Sequence, residues 1–318
     1  MGMSSINTNL SAMTALQSLQ QTSKDLLTTQ NRISTGLKVA SASDNAAYWS
    51  IATTMKSDND ALSTVQDALG LGKGTVDVAY NALNQSITLV SQIKEKLTAA
   101  AAPGVDRAKV QSEITQLQEQ LKGIAATANF SGQNWVSVDS SVSGYSSTKS
   151  IVASFARTTT GTVSIGTISV DTSKSILFDS STATTGATGG ILDSQRGTTG
   201  AIVTTGGTSV MSIDISSLTD SSTDQATLVS YIAGVDSAFQ EMTTAATNLG
   251  AAQKRIDLQT SFISSLRDSI TTGVSQLVDA DMNQESTRLQ ALQVKQQLGV
   301  QALSIANQSS QNILSLFR

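Results

Sequence analysis

Cysteine and histidine are both missing from the 318 residues. That removes disulfides, thiolate nucleophiles, imidazole bases and the usual ligands of zinc, copper or haem. No catalytic residue, cofactor site or metal site is expected, and the chain reads as a non-enzyme. Proline is almost missing too: its one occurrence, in Ala102-Pro103-Gly104, leaves long stretches free to be helical. Charged residues make up only 14% of the chain, with a net charge of -4. The densest basic run, Lys94-Glu95-Lys96, is half neutralised by its own glutamate, so no nucleic-acid partner is expected.

Long apolar runs are also lacking. Met1 to Gln20 has no basic start and no continuous apolar stretch, so it is not a general secretory signal, and no window resembles a membrane span. No membrane insertion is expected. If the chain leaves the cell, a dedicated exporter takes it without a cleavable signal peptide.

What is present is most distinctive at the two ends. From Met1 to Ser23, and again from Gln296 to Phe317, there is no charged side chain. Both segments are rich in Gln, Asn, Ser and Thr, whose amides and hydroxyls are costly to bury in hydrocarbon, so a bilayer is the wrong partner. Their apolar residues recur at helical spacing: Ile6, Leu10, Met13, Leu16, Leu19, Leu26, Ile33 and Leu37 at one end, Leu298, Ala302, Ile305, Ile313 and Leu316 at the other. Two readings stand. The helices pair with each other, or they are buried on several sides against other protein, which explains why no Lys or Glu decorates their backs.

From Ile51 the apolar positions Met55, Leu62, Val65, Leu69, Val76, Tyr80, Leu83, Ile87, Val90 and Leu97 follow steps of three, four or seven, predicting a long coiled-coil-like helix with Ser43 or Asp44 as N-cap. It stops at Pro103. Val110, Ile114, Leu117, Leu121, Ile124 and Ala128 predict a second helix folding back, and Leu228 to Leu277 a third, roughly 75 Å long at 1.5 Å per residue. Tyr48 and Trp49 read as packing anchors. Gly70, Gly72 and Gly74 resemble a phosphate loop only superficially, because Lys73 is followed by Gly74; the glycines instead allow a close approach or soften the helix. Asp279, Asp281 and Glu285 read as a solvated junction before the last helix.

Between residues 139 and 224 more than half of the positions are Ser, Thr or Gly. Ser150 to Phe155, Thr162 to Ile165 and Val210 to Ile215 alternate as strands do, with turns at Thr185-Gly186 and Thr205-Gly206-Gly207. The expected fold class is mainly α: a long antiparallel helical rod, a coiled-coil-like bundle made from both chain ends, carrying a small β-rich inserted outer module. The expected domains are 1–40 with 282–318, an inner terminal-helix domain; 41–138 with 225–281, the rod; and 139–224, a variable surface region.

Asn31-Arg-Ile-Ser-Thr-Gly-Leu-Lys-Val-Ala-Ser-Ala-Ser-Asp-Asn-Ala-Ala47 resembles the N-terminal signature of bacterial flagellins, and Gln301 to Arg318 is similar to their C-terminal signature almost residue for residue. Ile6-Asn-Thr-Asn9 fits as well. The likeness covers roughly 1–135 and 225–318, and Tyr48-Trp49-Ser50-Ile51-Ala52 looks like the alphaproteobacterial, rhizobial-type branch. The resemblance implies a subunit exported unfolded through the flagellum and self-assembling into the extracellular filament. Its implied partners are further copies, possible co-assembling flagellins, hook-associated and cap proteins, and the flagellar export apparatus.

In that frame the terminal stripes become filament interfaces, and Gln296, Gln297, Gln301, Gln308 and Gln311 suit the wall of a channel that neither grips nor repels transiting chains. Gln92, Lys94, Glu95 and Lys96 correspond to a stripe sensed by an animal innate receptor. Ser43, Asn45, Tyr48 and Trp49 fall in the peptide sensed by a plant receptor kinase. At both places the residues depart from the family's usual ones. A hook-filament junction protein and an intracellular coiled-coil scaffold remain as alternatives. A peptidase carried in the variable region would need histidine ligands that the chain does not have.

Overall fold

In the computed structural model of the chain, residues 9–158, 161–181 and 189–316 are described, with the side chains of the last helix described as far as Gln308. Helices dominate, as expected. They are α1 (Leu10–Thr35), α2 (Ala46–Ala100), α3 (Arg107–Thr127), α4 (Ser222–Val278) and α5 (Met282–Leu316). The chain divides into two compact units: Met1–Asp60 with Arg267–Arg318, and Ala61–Leu266.

In the first unit α1 starts where the Asn9 side chain accepts the Ala12 N–H, and ends at Gly36, whose φ of 72° suits glycine. The chain beyond it is strapped back by backbone hydrogen bonds from Lys38 and Val39 to the Val278 carbonyl and from Ala280 to the Gly36 carbonyl. A small core of Val39, Ala52, Val274 and Val278 forms beneath, flanked by Leu37, Met55, Ile270 and Leu277.

The expected N-cap of α2 is corrected here. Asn45 Oδ1 accepts the Tyr48 N–H, while Asp44 ties the preceding loop by accepting from the Ala40 and Ser41 N–H groups. The Ser41 N–H and then its hydroxyl hold the Asp44 carboxyl below the usual carboxylate range. Ile51 is exposed and Ala52 takes the core position. Tyr48 and Trp49 are exposed rather than packed.

In the second unit the main buried stripe of α2 is Leu62, Val65, Leu69, Val76, Ala79, Leu83, Ser86, Val90, Ile93, Leu97 and Ala100, with Thr75, Ala82 and Leu89 buried beside it. The stripe alternates by three and four once half-buried Gly72 is counted. Along α4 the stripe is Leu228, Val235, Ala238, Met242, Ala245, Leu249, Ala252, Ile256 and Ile263. The two run antiparallel, fixed by Lys73–Asp257, Lys94–Asp236 and the hydrogen bond from Gln253 to Asp77. Pro103 and Gly104 turn the chain into α3, where buried Arg107 donates to the Ala100 and Leu218 carbonyls and to Asp220.

The inserted segment is small and weakly paired. Short β1 (Asn129–Phe130) and β2 (Gln133–Asn134) form a hairpin, β3 (Ser137–Val138) pairs parallel with β6 (Phe178–Asp179), and β4 (Thr148–Arg157) pairs antiparallel with β5 (Val163–Asp171). The expected strand Ser150 to Phe155 falls within β4, and the expected Thr162 to Ile165 overlaps the start of β5 from Val163. The third, Val210 to Ile215, is a 3-10 turn and coil instead. Val210, Ile213 and Ile215 are buried, yet the backbone is served by glutamine side chains of α3: Gln118 Nε2 donates to the Val210 carbonyl, Gln111 Nε2 donates to Ile213 O, and Gln111 Oε1 accepts the Ile215 N–H. Side chains thus take the place of a neighbouring strand. The turn expected at Thr185-Gly186 lies outside the described residues, whereas Gly206, at φ 74°, turns as expected.

The α2 glycines have distinct roles. A Cβ on Gly72 would lie 2.5 Å from the Ile151 side chain and one on Gly74 2.6 Å from the Phe130 ring, while Gly70 faces open space. Gly70→Ala is therefore expected to stabilise by about 1 kcal/mol through helix propensity. Gly72→Ala and Gly74→Ala should destabilise by about 1–3 kcal/mol through overpacking, read as urea midpoints. Equal gains at all three positions would show that Ile151 and Phe130 move aside freely.

Candidate functional site

The charge-free ends meet in the structure. Along α1 the covered seam positions are Ala12, Ala15, Leu19, Thr22, Leu26, Thr29 and Ile33, with Ser23, Asp25 and Arg32 half-buried beside them; along α5 they are Glu285, Leu289, Leu292, Gln296, Gly299, Leu303 and Ala306. Both sets alternate by three and four, the spacing of a coiled-coil seam. The pairing is antiparallel. Asn9 Nδ2 donates to the Ala306 carbonyl at 2.9 Å, a Cβ on Gly299 would lie 3.2 Å from Leu19 Cδ1, and Arg32 Nη1 meets Glu285 Oε1 at 3.1 Å. Small side chains line much of the seam, so the two backbones can approach closely. The Thr22 hydroxyl, which would otherwise be buried unpaired, donates to the Ser18 carbonyl of its own helix.

The apolar residues singled out in the sequence divide into two sets. Leu19, Leu26 and Ile33 face the seam. Leu10, Met13 and Leu16 do not: they are 75%, 60% and 45% exposed, and Leu27 joins them. On α5, Leu298, Ala302 and Ile305 all point away from the seam, with Ile305 67% exposed and Val294 in the same state. Ile6 lies outside the described residues, as do the side chains of Ile313, Leu316 and Gln311. Gln296 is drawn into the seam half-buried, whereas Gln297, Gln301 and Gln308 are exposed.

The seam residues passed over in the sequence were Ala12, Ala15, Thr22, Thr29, Leu289, Leu292, Gly299, Leu303 and Ala306. A strict three-four count that admitted small residues and ran back along α5 to its first turn would have found them. Glu285 is corrected as well. Instead of sitting in a solvated junction it is 6% exposed and paired with Arg32, while Asp281 Oδ1 caps α5 by accepting the Asn283 and Gln284 N–H groups.

Each terminal helix thus has one apolar stripe spent inside the chain and a second left outside, with no charged residue along most of either. Surfaces of that kind fit burial against further helices. No helix among the described residues is long and apolar enough to cross a membrane.

Known families match in the same regions. The bacterial flagellin N-terminal helical region matches residues 6–141, and the bacterial flagellin C-terminal helical region matches residues 232–317. The chain belongs to the bacterial flagellin family. This flagellin is 47% identical to Flagellin C of Rhizobium meliloti (strain 1021), 42% identical to Flagellin A of Rhizobium meliloti and 45% identical to a flagellin of Brucella melitensis biotype 1. In each case 99% of this chain and 100% of the relative are covered. These relatives agree with the rhizobial-type likeness of the Tyr48-Trp49 stretch.

The positions that the sequence resemblance sets against receptor-sensed stretches are partly engaged in hydrogen bonds and ion pairs. Gln92 and Glu95 are exposed, but Lys94 pairs with Asp236 and Lys96 with Glu113. The Ser43 hydroxyl shares a hydrogen bond with Ser41 at 2.7 Å, and Asn45 is spent as a helix cap.

Proposed function

We propose that this flagellin is the structural subunit of the extracellular bacterial flagellar filament and that it assembles through the outward stripes of α1 and α5. The observation that carries this is the second, solvent-facing apolar stripe on helices whose first stripe is already satisfied by mutual pairing. A pair that needed only itself would charge its outer face. Identical chains joined through non-closing heterologous contacts grow into an open helical polymer.

Residues 1–40 with 282–318 form the inner layer of that polymer, 41–138 with 225–281 the next, and 139–224 the exposed surface. Gln297, Gln301, Gln308 and Gln311 line the central channel, and Gln296 supports it from the seam. The chain performs no catalytic step. Export proceeds through the flagellar apparatus, and hook-associated proteins, the cap and co-assembling flagellins meet it at the filament. The test is to shear extracellular filaments from cells and identify their protein by mass spectrometry. Absence of this chain from the sheared fraction, with its retention inside cells, would favour a scaffold instead.

Weak stimulation of both receptors follows from the same reading. Gln92 stands where the resembled stripe has an Arg and so lacks its guanidinium fork, and Lys96 sets a charge paired with Glu113 where that stripe has a Leu. Purified protein should therefore evoke a small response in animal reporter cells and in a leaf oxidative burst. Gln92→Arg combined with Lys96→Leu should restore part of the animal response. A full-strength response from the unaltered protein would overturn the assignment.

A further inference from the structure

We propose that Arg32 and Glu285 are a positioning pair that sets the register and rotation of the α1–α5 seam, and so decides which stripe each helix presents outward. The inference rests on the assembly reading above and adds the residues that make the assembling surface correct. Glu285 occupies the first seam position of α5 and is the one charged residue among the seam positions. Its Oε1 accepts from Arg32 at 3.1 Å, while its Oε2 is buried without a hydrogen-bond partner among the described residues. A half-satisfied buried pair adds little net stability, whereas a polar group in a coiled-coil seam is an effective specifier of register.

The rest of the seam discriminates poorly. After a seven-residue slide Leu26 would face Gly299 instead of Leu292, and Leu19 would face Ala306 instead of Gly299, so large residues still meet small ones. Glu285 would lose Arg32. A slide the other way would set its carboxylate against Leu26. The bond from Asn9 to the Ala306 carbonyl cannot discriminate, because every residue offers a carbonyl. The strap between Gly36–Val39 and Val278–Ala280 holds the two helix ends near each other. It uses backbone atoms before α5 begins and leaves the rotation of α5 open. A wrong rotation turns Leu298 and Ile305 inward and exposes the seam, which would spoil any contact built on the outer stripe.

The absence of native cysteine makes the test clean. A Cβ at position 299 lies 3.9 Å from Leu19 Cβ, within disulfide range, so Leu19→Cys with Gly299→Cys reports the native register. Leu19→Cys with Ala306→Cys, or with Leu292→Cys, reports the two slid registers. In the full-length chain, intramolecular oxidation should favour the native pair by about tenfold or more, and Glu285→Ala should cut that preference to about threefold or less. Arg32→Glu combined with Glu285→Arg should restore it. An undiminished preference with Glu285→Ala, or no recovery in the reversed pair, overturns the proposal. Sedimentation is scored separately: a parent chain that closes the native pair but never polymerises removes the assembly reading and leaves the register assignment standing.

Discussion

Replacing Ile305 by Asp is expected to leave the isolated chain as stable as its parent and to abolish polymerisation. Ile305 is 67% exposed and touches no part of the seam, so within one chain the new carboxylate stays hydrated and stability moves by no more than about 0.5 kcal/mol. In the polymer the same carboxylate would be buried without a partner. A penalty of about 3 kcal/mol per contact raises the critical concentration by about a hundredfold. Leu292→Asp is the control, since Leu292 lies in the seam and its replacement should loosen the α1–α5 pair in the monomer itself. Thermal unfolding and sedimentation together decide the matter: normal filaments from Ile305→Asp would show that the outer stripe of α5 makes no subunit contact.

The largest effect on stability is expected at Arg196, a residue that no sequence pattern marked out. Its guanidinium is buried, donates to both oxygens of Glu241 at 3.0 and 2.7 Å, and also reaches Ser237 and the carbonyls of Ile191 and Gly200. Its backbone meanwhile bridges Ile202 and Thr208. One side chain thereby fastens the end of the inserted segment to α4.

Arg196→Ala removes the fork and leaves two carbonyls and a carboxylate short of donors. The expected cost is about 3–5 kcal/mol, nearer the lower figure because Glu241 is 39% exposed and can rehydrate. Arg196→Lys should recover only part, having the charge without the planar fork. Amide exchange across residues 190–215 is the direct readout. Protection there that matches the parent would mean that the apolar contacts of Ile191, Leu192 and Val210 hold the segment unaided.

The helices were legible because their cause is local. Apolar positions at steps of three and four, an uninterrupted stretch before Pro103 and the Gly104 turn behind it require nothing beyond the neighbouring turns of chain. The seam of the second unit was half legible: Leu62, Leu69, Leu83 and Val90 announce themselves, but Ala79, Ser86 and Ala100 fill equivalent places with little hydrophobicity. The strand expected at Val210 to Ile215 failed for a different reason. Alternation shows which side chains are buried, and the backbone partner is supplied by glutamines about a hundred positions away in the chain, whose role periodicity does not encode.

At the candidate site the sequence alone determined the composition: two charge-free, helical ends with apolar stripes that must be covered by something. What covers each stripe was decided only in three dimensions. Leu10 and Leu19 are equally apolar and lie in the same helix, so nothing local distinguishes the one facing α5 from the one facing solvent. The distinction comes from where Asn9, Gly299, Arg32 and Glu285 hold the two helices against each other. Burial of an apolar residue depends on which surface arrives opposite it, and that is a property of the folded pair rather than of either segment.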